Sequence, residues 1–492
     1  MRKNIPPPGR ETNALADHDL FSTIAGKFRS GNFAGARDNC EHHLAAVADS
    51  TRHAQAYFWL AAIEAHDGLQ ARAAAQFERA LALEGHHPFW LLQAGLTHFK
   101  LGNLARAEAL YRDALQRQPV FAIAHYNLGV LLQQNADLPG ARQAFEAAIH
   151  DQPRFAEAHN NLANTLVAMK DHDGAETHYR LALRDNPQLA NAHYGLGLHY
   201  ARRLQGEAAC RCLEAAVRDD PAHWEAWLAL AECHHLAGHD DIAVDCVRQV
   251  LAHDPSNAVA QFKQAQFGGL QPAQIPPQII DRLYADMADT FDEHLQQRLG
   301  YCIPALLVDA LTPWLDRFAQ SHKRLPHALD LGCGTGLFGV AVRDDVGRLV
   351  GVDLSPAMLA KARQRSLYDE LIAGDLQDFL RADLPPQREP FDLVAACDVL
   401  IYLGNIDHLL MLVASRLNGG GRFVFSIESP QGMAGDFRLQ PSGRYAHGTD
   451  YIARLAHAAG FEVIRQFATV VRTESAIPLD GFAYILQKPQ RR

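Results

Sequence analysis

No stretch of this 492-residue chain approaches the ~18 consecutive apolar residues that a membrane-spanning helix needs, so no membrane span is expected. An excess of positive charge is missing too. Lys and Arg total 46 against 56 Asp and Glu, a net charge of −10, which removes the general electrostatic reason to bind nucleic acid or an anionic membrane and leaves only a local basic patch open. Cysteine is sparse and scattered. Its eight positions (Cys40, Cys210, Cys212, Cys233, Cys246, Cys302, Cys333 and Cys397) contain no Cys-x-x-Cys pair, which argues against a disulfide framework and for thiols in a reducing compartment. Cys210 and Cys212 stand two apart on a predicted helix and point to different faces, a poor metal pair. The histidine pairs beginning at 42, 86 and 234 have no partner at ligand spacing, so no metal site is expected. The opening "MRKNIPPPGRETNALADHDL" lacks the apolar core of a secretory leader, and its prolines predict a disordered arm over residues 1–18 of a cytoplasmic protein.

What the first half does contain is a repeat. The segments beginning "AHYNLG" at 124, "AHNNLA" at 158 and "AHYGLG" at 192 are offset by 158 − 124 = 192 − 158 = 34 residues. Prolines recur at that spacing at Pro119, Pro153, Pro187, Pro221 and Pro255, small residues at Ala107, Ala141, Ala175, Ala209 and Ala243, and large plugs at Tyr111, Phe145, Tyr179, Leu213 and Val247. This resembles the tetratricopeptide repeat, a helix pair that needs small residues where its helices cross, a plug between them and proline after the second helix. Two degenerate copies upstream bring the expected count to about seven units. The solenoid is expected over 19–267, with "SNAVAQFKQAQF" as a capping helix.

Such a solenoid implies a concave wall that takes a protein or peptide partner. In the "YNLG" type of repeat, asparagines on the first helices grip an extended backbone, a role that falls here on Asn127, Asn161 and Asn164. Gly195 breaks that ladder at the fourth equivalent position. The alternative is that these amides bridge neighbouring helices.

After a Gly/Pro-containing linker at 268–278, short apolar runs alternate with helical segments, the pattern of a parallel sheet with covering helices over 279–492. Seven strands are expected, at "HALDLG", "RLVGVD", "ELIAG", "FDLVAAC", "GRFVFSIE", "FEVIRQF" and "GFAYILQ". Ligands of such sheets sit at the carboxyl ends of the strands, and Asp330, Asp353, Asp375 and Asp398 fall at four successive ones.

The glycines of "ALDLGCGTGLFG" can be read in two frames. From Gly334 they make Gly-x-Gly-x-x-Gly, with Asp353 at 353 − 334 = 19 residues, as in dinucleotide sites; from Gly332 they make Gly-x-Gly-x-Gly, a loop suited to a sulfonium cofactor. The Gly334 frame leaves Asp330, Gly332 and Cys333 misfitted to the strand end. Together "LDLGCGTG", "GVDLSPAML", "AGDLQDF", "FDLVAACDVLIYLG" and "LNGGGRFVFSIE" resemble the class I S-adenosylmethionine-dependent methyltransferases over residues 325–488. With "FDEHLQQRLGY" and "GRYAHGTDYIARLAHAAGFEV", the chain is similar to predicted methyltransferases that carry N-terminal tetratricopeptide repeats. It departs from them at Met287, where a tyrosine is usual.

The resemblance implies S-adenosylmethionine as cofactor and an α/β Rossmann-like, seven-stranded fold. It assigns the methionine part to the loop Gly332, Cys333, Gly334, Thr335 and Gly336, the amino group to Asp330, the ribose to Asp353, and the adenine to Asp375 between Leu354 and Leu376, with Asp398 also at the site. On the acceptor side, placement suggests Asp398, Tyr402, His447 and Glu428 for proton transfer or the methyl path, and Arg444 and Tyr445 for binding. A carboxylate acceptor would need no base, whereas a phenol, alcohol or amine would. The long helix before the first strand, with Leu283, Met287, Phe291 and Leu295 at helical spacing, is expected to cover the core or act as a lid. Gly339 reads as a small residue in the next helix, so Gly339→Ala is expected to be tolerated.

Overall fold

The computed structural model describes residues 10–48, 52–84, 87–287, 291–293, 301–319, 324–382, 390–429, 435–440, 442–474 and 477–490. The chain divides into two compact units, residues 1–237 and 238–492.

In the first unit the helices run in pairs. These are α1 (Arg10–Arg29) with α2 (Phe33–Ala46), α3 (Ala54–His66) with α4 (Gln70–Leu83), α5 (Pro88–Lys100) with α6 (Leu104–Arg117), and α7 (Ala122–Gln134) with α8 (Leu138–Asp151). Then come α9 (Ala156–Ala168) with α10 (His172–Asp185), α11 (Ala190–Arg202) with α12 (Gly206–Asp219), and α13 (Trp224–Leu236). Residues 10–18, assigned by composition to a disordered arm, lie within α1. The prolines that suggested disorder stop at Pro8, and no proline falls between Arg10 and Arg29.

The period has a local cause at each position. Ala107, Ala141, Ala175 and Ala209 are fully buried at the helix crossings, beside the buried plugs Tyr111, Phe145, Tyr179 and Leu213. Gly129 is glycine because a Cβ there would lie 2.7 Å from the Phe145 ring. From α6 on, each second helix ends two residues before its proline, and the proline carbonyl accepts a hydrogen bond from a side chain six residues on: His125 at 3.0 Å, His193 at 3.0 Å and Trp227 at 3.1 Å. The turns within the pairs place one residue in the left-handed region, at Gly68, Gly102, Ala136, Lys170 and Leu204, 34 residues apart. At the last three a side chain occupies a conformation that favours glycine.

The second unit opens with α14 (Asp240–His253) and α15 (Ala258–Phe267), followed by α16 (Pro277–Met287), the short α17 (Phe291–Glu293) and α18 (Ile303–Ala319). The sheet then alternates with helices: β1 (Leu325–Leu331), α19 (Leu337–Val342), β2 (Val346–Asp353), α20 (Pro356–Arg365), β3 (Glu370–Ala373), α21 (Leu376–Arg381), β4 (Phe391–Ala396), α22 (Leu409–Arg416) and β5 (Leu417–Glu428). It closes with β6 (Phe437–Leu439), β7 (Tyr445–His447), α23 (Thr449–Ala458), β8 (Glu462–Glu474) and β9 (Ile477–Gln487). The first five strands pair in parallel in the order β3-β2-β1-β4-β5, and β9 adds antiparallel to β5 with β8 outside it.

These are the seven expected strands. The hairpin β6–β7 is additional and meets the end of β5 at Glu428–Ala446. Its three-residue strands are too short to show an alternation in sequence. Side chains alternate along β1, so Leu329 and Leu331 enter the core on one face while Ala328 enters the core under α18 on the other. Parallel strands buried on both faces leave their carboxyl ends as the one place where polar loops collect.

The segment read as a linker is bonded to this sheet. Gly404 and Asn405 donate backbone N–H groups to Ala273 O at 2.9 Å, Ile275 donates to Tyr402 O at 3.0 Å, and the Tyr445 hydroxyl donates to Pro272 O at 2.7 Å. Ile275 is buried with Phe262 of α15 and Tyr445.

Candidate active site

A pocket with about 1090 Å³ of atom-free space, open mouth included, lies at the carboxyl ends of β1, β2, β3 and β4. Asp330, Gly332, Cys333, Gly334, Thr335, Asp353, Leu354, Asp375, Leu376, Asp398 and Tyr402 all line it; Gly336 does not, and caps α19 from just behind.

The loop begins where β1 ends. Gly332, Gly334 and Gly336 have φ of 67°, 54° and 93°, in the region that favours glycine, and a Cβ on Gly332 would lie 2.4 Å from Val399. At Gly334 a Cβ would meet nothing within 4 Å, so backbone faces open space there. The acid ending β2 fixes this loop: Asp353 accepts from Gly334 N and from Ser355 N, each at 2.8 Å. Burial raises its carboxyl, opposed by those two N–H groups. Asp375 accepts from Gln377 N at 2.8 Å and Asp378 N at 3.1 Å through Oδ1, so it also caps α21.

Asp330 is 1% exposed, and burial pushes its carboxyl up to about 7. Its partner is a residue with no counterpart in the sequence reading. The Tyr368 hydroxyl donates to Asp330 Oδ2 at 2.7 Å and accepts from Gly339 N at 3.2 Å. A Cβ on Gly339 would approach the Tyr368 ring and hydroxyl to 2.8 Å. The expectation that Gly339→Ala is tolerated is therefore corrected: Gly339 is small because Tyr368 needs its space. Thr335 is likewise tied down, its hydroxyl bonded to Asp292 of α17 and its carbonyl accepting from Arg365 Nε at 2.8 Å.

α16 and α17 cover the pocket, and of the four positions expected to do so Phe291 lines it. Ile280 and Tyr284 of α16 and Phe291 of α17 line it, whereas Leu283 is 42% exposed; Leu295 and the Met287 side chain lie outside the described residues. Gln274 and Ile275 of the bonded segment also line it.

The acceptor-side candidates separate. His447 is fully buried away from the lining, with Nε2 against Leu403 O at 2.8 Å and Gly404 O at 3.2 Å, and burial pushes its imidazole down to about 4. It holds a loop and is not placed as a base. Tyr445 also lies off the pocket, its hydroxyl committed to Pro272 O. Asp398 lines the pocket at φ 58°, and Arg472 Nη1 donates to both its oxygens at 3.1 and 3.0 Å. Arg472 is 2% exposed and also bonds Glu428, which is off the lining. A shift of register between Val470 and Arg472 in β8 lets Val471 and Arg472 both be buried. Nothing in the β8 sequence EVIRQFATVVRTE, which holds a second arginine at Arg465, marks Arg472 out. Tyr402 and Tyr284 share a hydroxyl–hydroxyl hydrogen bond, and Arg444 bonds Tyr402.

In the first unit Asn161 donates to Tyr126 Oη at 3.1 Å, and Asn164 accepts from Tyr179 Oη at 2.6 Å. Asn127 donates back to Ile123 O of its own helix at 2.6 Å. Asn161 and Asn164 thus do bridge helices, and both also line a polar concavity with Asn191, Tyr194 and Arg202. Gly195 breaks the ladder because a Cβ there would lie 2.5 Å from the Tyr179 ring.

Parallel strands in this order, a glycine loop after the first and acids after the next three make a Rossmann-like domain that resembles those of methyltransferases, on a chain that also carries a helical repeat array. The comparisons agree. A family model described as a methyltransferase domain matches residues 329–423, and one described as a tetratricopeptide repeat matches 27–88, 92–153, 129–190, 160–209 and 194–258. The chain is 34% identical to an 18S rRNA (guanine-N(7))-methyltransferase of Bos taurus over 18% of this chain and 31% of the relative. It is 29% identical to nodulation protein S of Rhizobium tropici over 27% and 52%. To a trans-aconitate 2-methyltransferase of Paracidovorax citrulli it is 35% identical over 24% and 42%. It thus spans between about a third and about a half of the length of these relatives. Among the described residues no helix is long and apolar enough to cross a membrane.

Proposed function

We propose that the chain transfers the methyl group of S-adenosylmethionine to an acceptor, and that its repeat array recruits a protein, peptide or carrier that bears the acceptor. The observation that carries the first part is the Asp353–Gly334 bond, which joins the acid ending β2 to the glycine loop in the lining of the pocket. The residues present fit the cofactor. Gly334 offers backbone N–H and open space, Asp330 a buried carboxylate for an ammonium group, Asp353 further lone pairs for ribose hydroxyls, and Asp375 an Oδ2 for an exocyclic amine, with Leu354 and Leu376 as apolar walls. When bound, the cofactor supplies an electrophilic methyl on a neutral leaving thioether; alignment and exclusion of water are left to the protein. Ile280, Tyr284 and Phe291 would exclude water.

The relatives do not choose the acceptor, since one is named for an rRNA guanine and another for trans-aconitate. Recruitment by the repeats is supported by the polar concavity around Asn161, Asn164, Asn191 and Arg202, whose amides and guanidinium suit a peptide. Calorimetric titration of the full chain with S-adenosylhomocysteine tests the first part. Binding is expected at micromolar concentration, and Asp353→Ala should weaken it by about 1–3 kcal/mol through loss of charge-assisted hydrogen bonds. Folded protein that takes up no ligand would end the proposal.

A further inference from the structure

None of the groups that sequence offers as a general base is placed to serve as one. His447 is buried off the pocket with Nε2 on two carbonyls. Asp398 has both oxygens held by Arg472, so accepting a proton would break a buried ion pair, and Glu428 is bonded to the same guanidinium away from the lining. Burial keeps Tyr284 and Tyr402 as neutral phenols. Among the described residues the other carboxylates that line the pocket, Asp330, Asp353 and Asp375, are those the cofactor reading uses.

The acceptor end offers a hydrogen-bond donor instead. Tyr284 and Tyr402 are bonded to each other through their hydroxyls, and the Arg444 guanidinium, which can only donate, bonds Tyr402. Two phenols bring two hydrogens, and their mutual bond uses one. Whichever tyrosine donates in the pair, one O–H remains for an acceptor, and the neighbouring cation polarises it. Gln274, Ile275, Ile280 and Phe291 give the rest of this end an apolar and amide lining.

Resting on the methyltransferase reading, we propose that the acceptor is a carboxylate, bound by the Tyr284–Tyr402 pair with Arg444 behind it, and that a carboxylate oxygen receives the methyl group. The oxygen lone pair forms the new C–O bond while the methyl C–S bond breaks and its electron pair stays on sulfur; no proton moves. An ionised carboxylate meets a sulfonium, and a neutral ester and a neutral thioether leave. A water-poor pocket favours that loss of charge, and the transfer asks for no base among the described residues. Tyr284 and Tyr402 touch the acceptor; Arg444 is a positioning residue.

The test uses the full chain saturated with S-adenosylhomocysteine, whose own binding is measured first, so that a failure of the methyltransferase reading is seen separately. Hexanoate, hexanamide and hexylamine are then titrated by ligand-observed NMR. Hexanoate should bind about tenfold tighter than either of the others, as expected for charge-assisted over neutral hydrogen bonds. Arg444→Gln and the double variant Tyr284→Phe/Tyr402→Phe should erase that preference with cofactor-product affinity retained, and Arg444→Lys should restore part of it. Equal binding of the three probes, a preference for the amine, or a carboxylate preference untouched in both variants overturns the proposal. So does the chemistry of the product: after incubation with methyl-labelled cofactor and a soluble cell extract, transferred label should leave as volatile methanol in mild alkali, and alkali-stable label refutes an ester.

Discussion

Cofactor affinity should rise with pH across neutrality, because the carboxyl proposed to receive the ammonium group is held neutral by its surroundings. Asp330 goes from an ordinary 3.8 to about 7 through burial, with Asp353 adding to the rise and the Tyr368 hydroxyl opposing it; Cys333 also faces it. Between those two values the folded protein holds this proton more tightly than the unfolded chain. The contribution of Asp330 to stability therefore falls as pH rises through that window, and a bound cation reverses the preference. At pH 6 roughly one site in ten is ionised and at pH 8 roughly nine in ten, so the dissociation constant should be about tenfold weaker at pH 6, near 1.4 kcal/mol. Titration calorimetry in two buffers of different ionisation enthalpy should detect close to one proton released per ligand at pH 6 and few at pH 8. Tyr368→Phe should move the midpoint upward, since it removes the hydrogen bond that favours the ionised form. Asp330→Asn should flatten the profile. Equal dissociation constants at pH 6 and 8 with no proton release would refute the assignment of the ammonium group to Asp330.

Gly339→Ala should displace Tyr368, lower the melting temperature and weaken cofactor binding, an effect of about 1–3 kcal/mol from overpacking; unchanged values in both measurements would exclude the contact. Gly334→Val should abolish cofactor binding, because a branched side chain would occupy both a positive φ and the open space at the loop. Arg472→Ala leaves Asp398 and Glu428 buried without their cation and should cost about 3–5 kcal/mol in denaturant unfolding; a loss below 1 kcal/mol would mean that water compensates the pair. Leu204→Gly should stabilise the repeat array by about 1 kcal/mol, since the side chain is 92% exposed and its φ is 58°, and a loss of stability would show that Leu204 packs in a way its exposure hides.

The parts of this protein that sequence makes legible are those that recur or that end an element. A 34-residue period survives because each repeat solves the same packing problem, so Ala141 and Phe145 can be read from Ala107 and Tyr111 without knowing what any of them touches. The strand-end acids are legible for a related reason: an apolar run of period two has to stop, and the residue at its stop has a known place in a parallel sheet. What stays hidden is the partner. Tyr368 precedes β3 in "RSLYDELIAG" with nothing to mark it, yet it sits under Asp330 and occupies the space that Gly339 leaves. The 271–275 segment reads as linker by composition, yet its backbone is paired with the loop after β4. His447 fails in the opposite direction. Its loop position and mid-range titration make it the obvious base, and only its burial against two carbonyls shows that it supports the loop that Tyr402 begins. A pattern reports which face or end a residue belongs to; the work a residue does at a site depends on what comes to that place from elsewhere in the chain. For that reason the proposed cofactor side, built on strand ends, could be drafted from sequence. The proposed acceptor side, assembled from α16, the segment before it, the loop after β4, the loop before β7 and Arg472 of β8, required the structure.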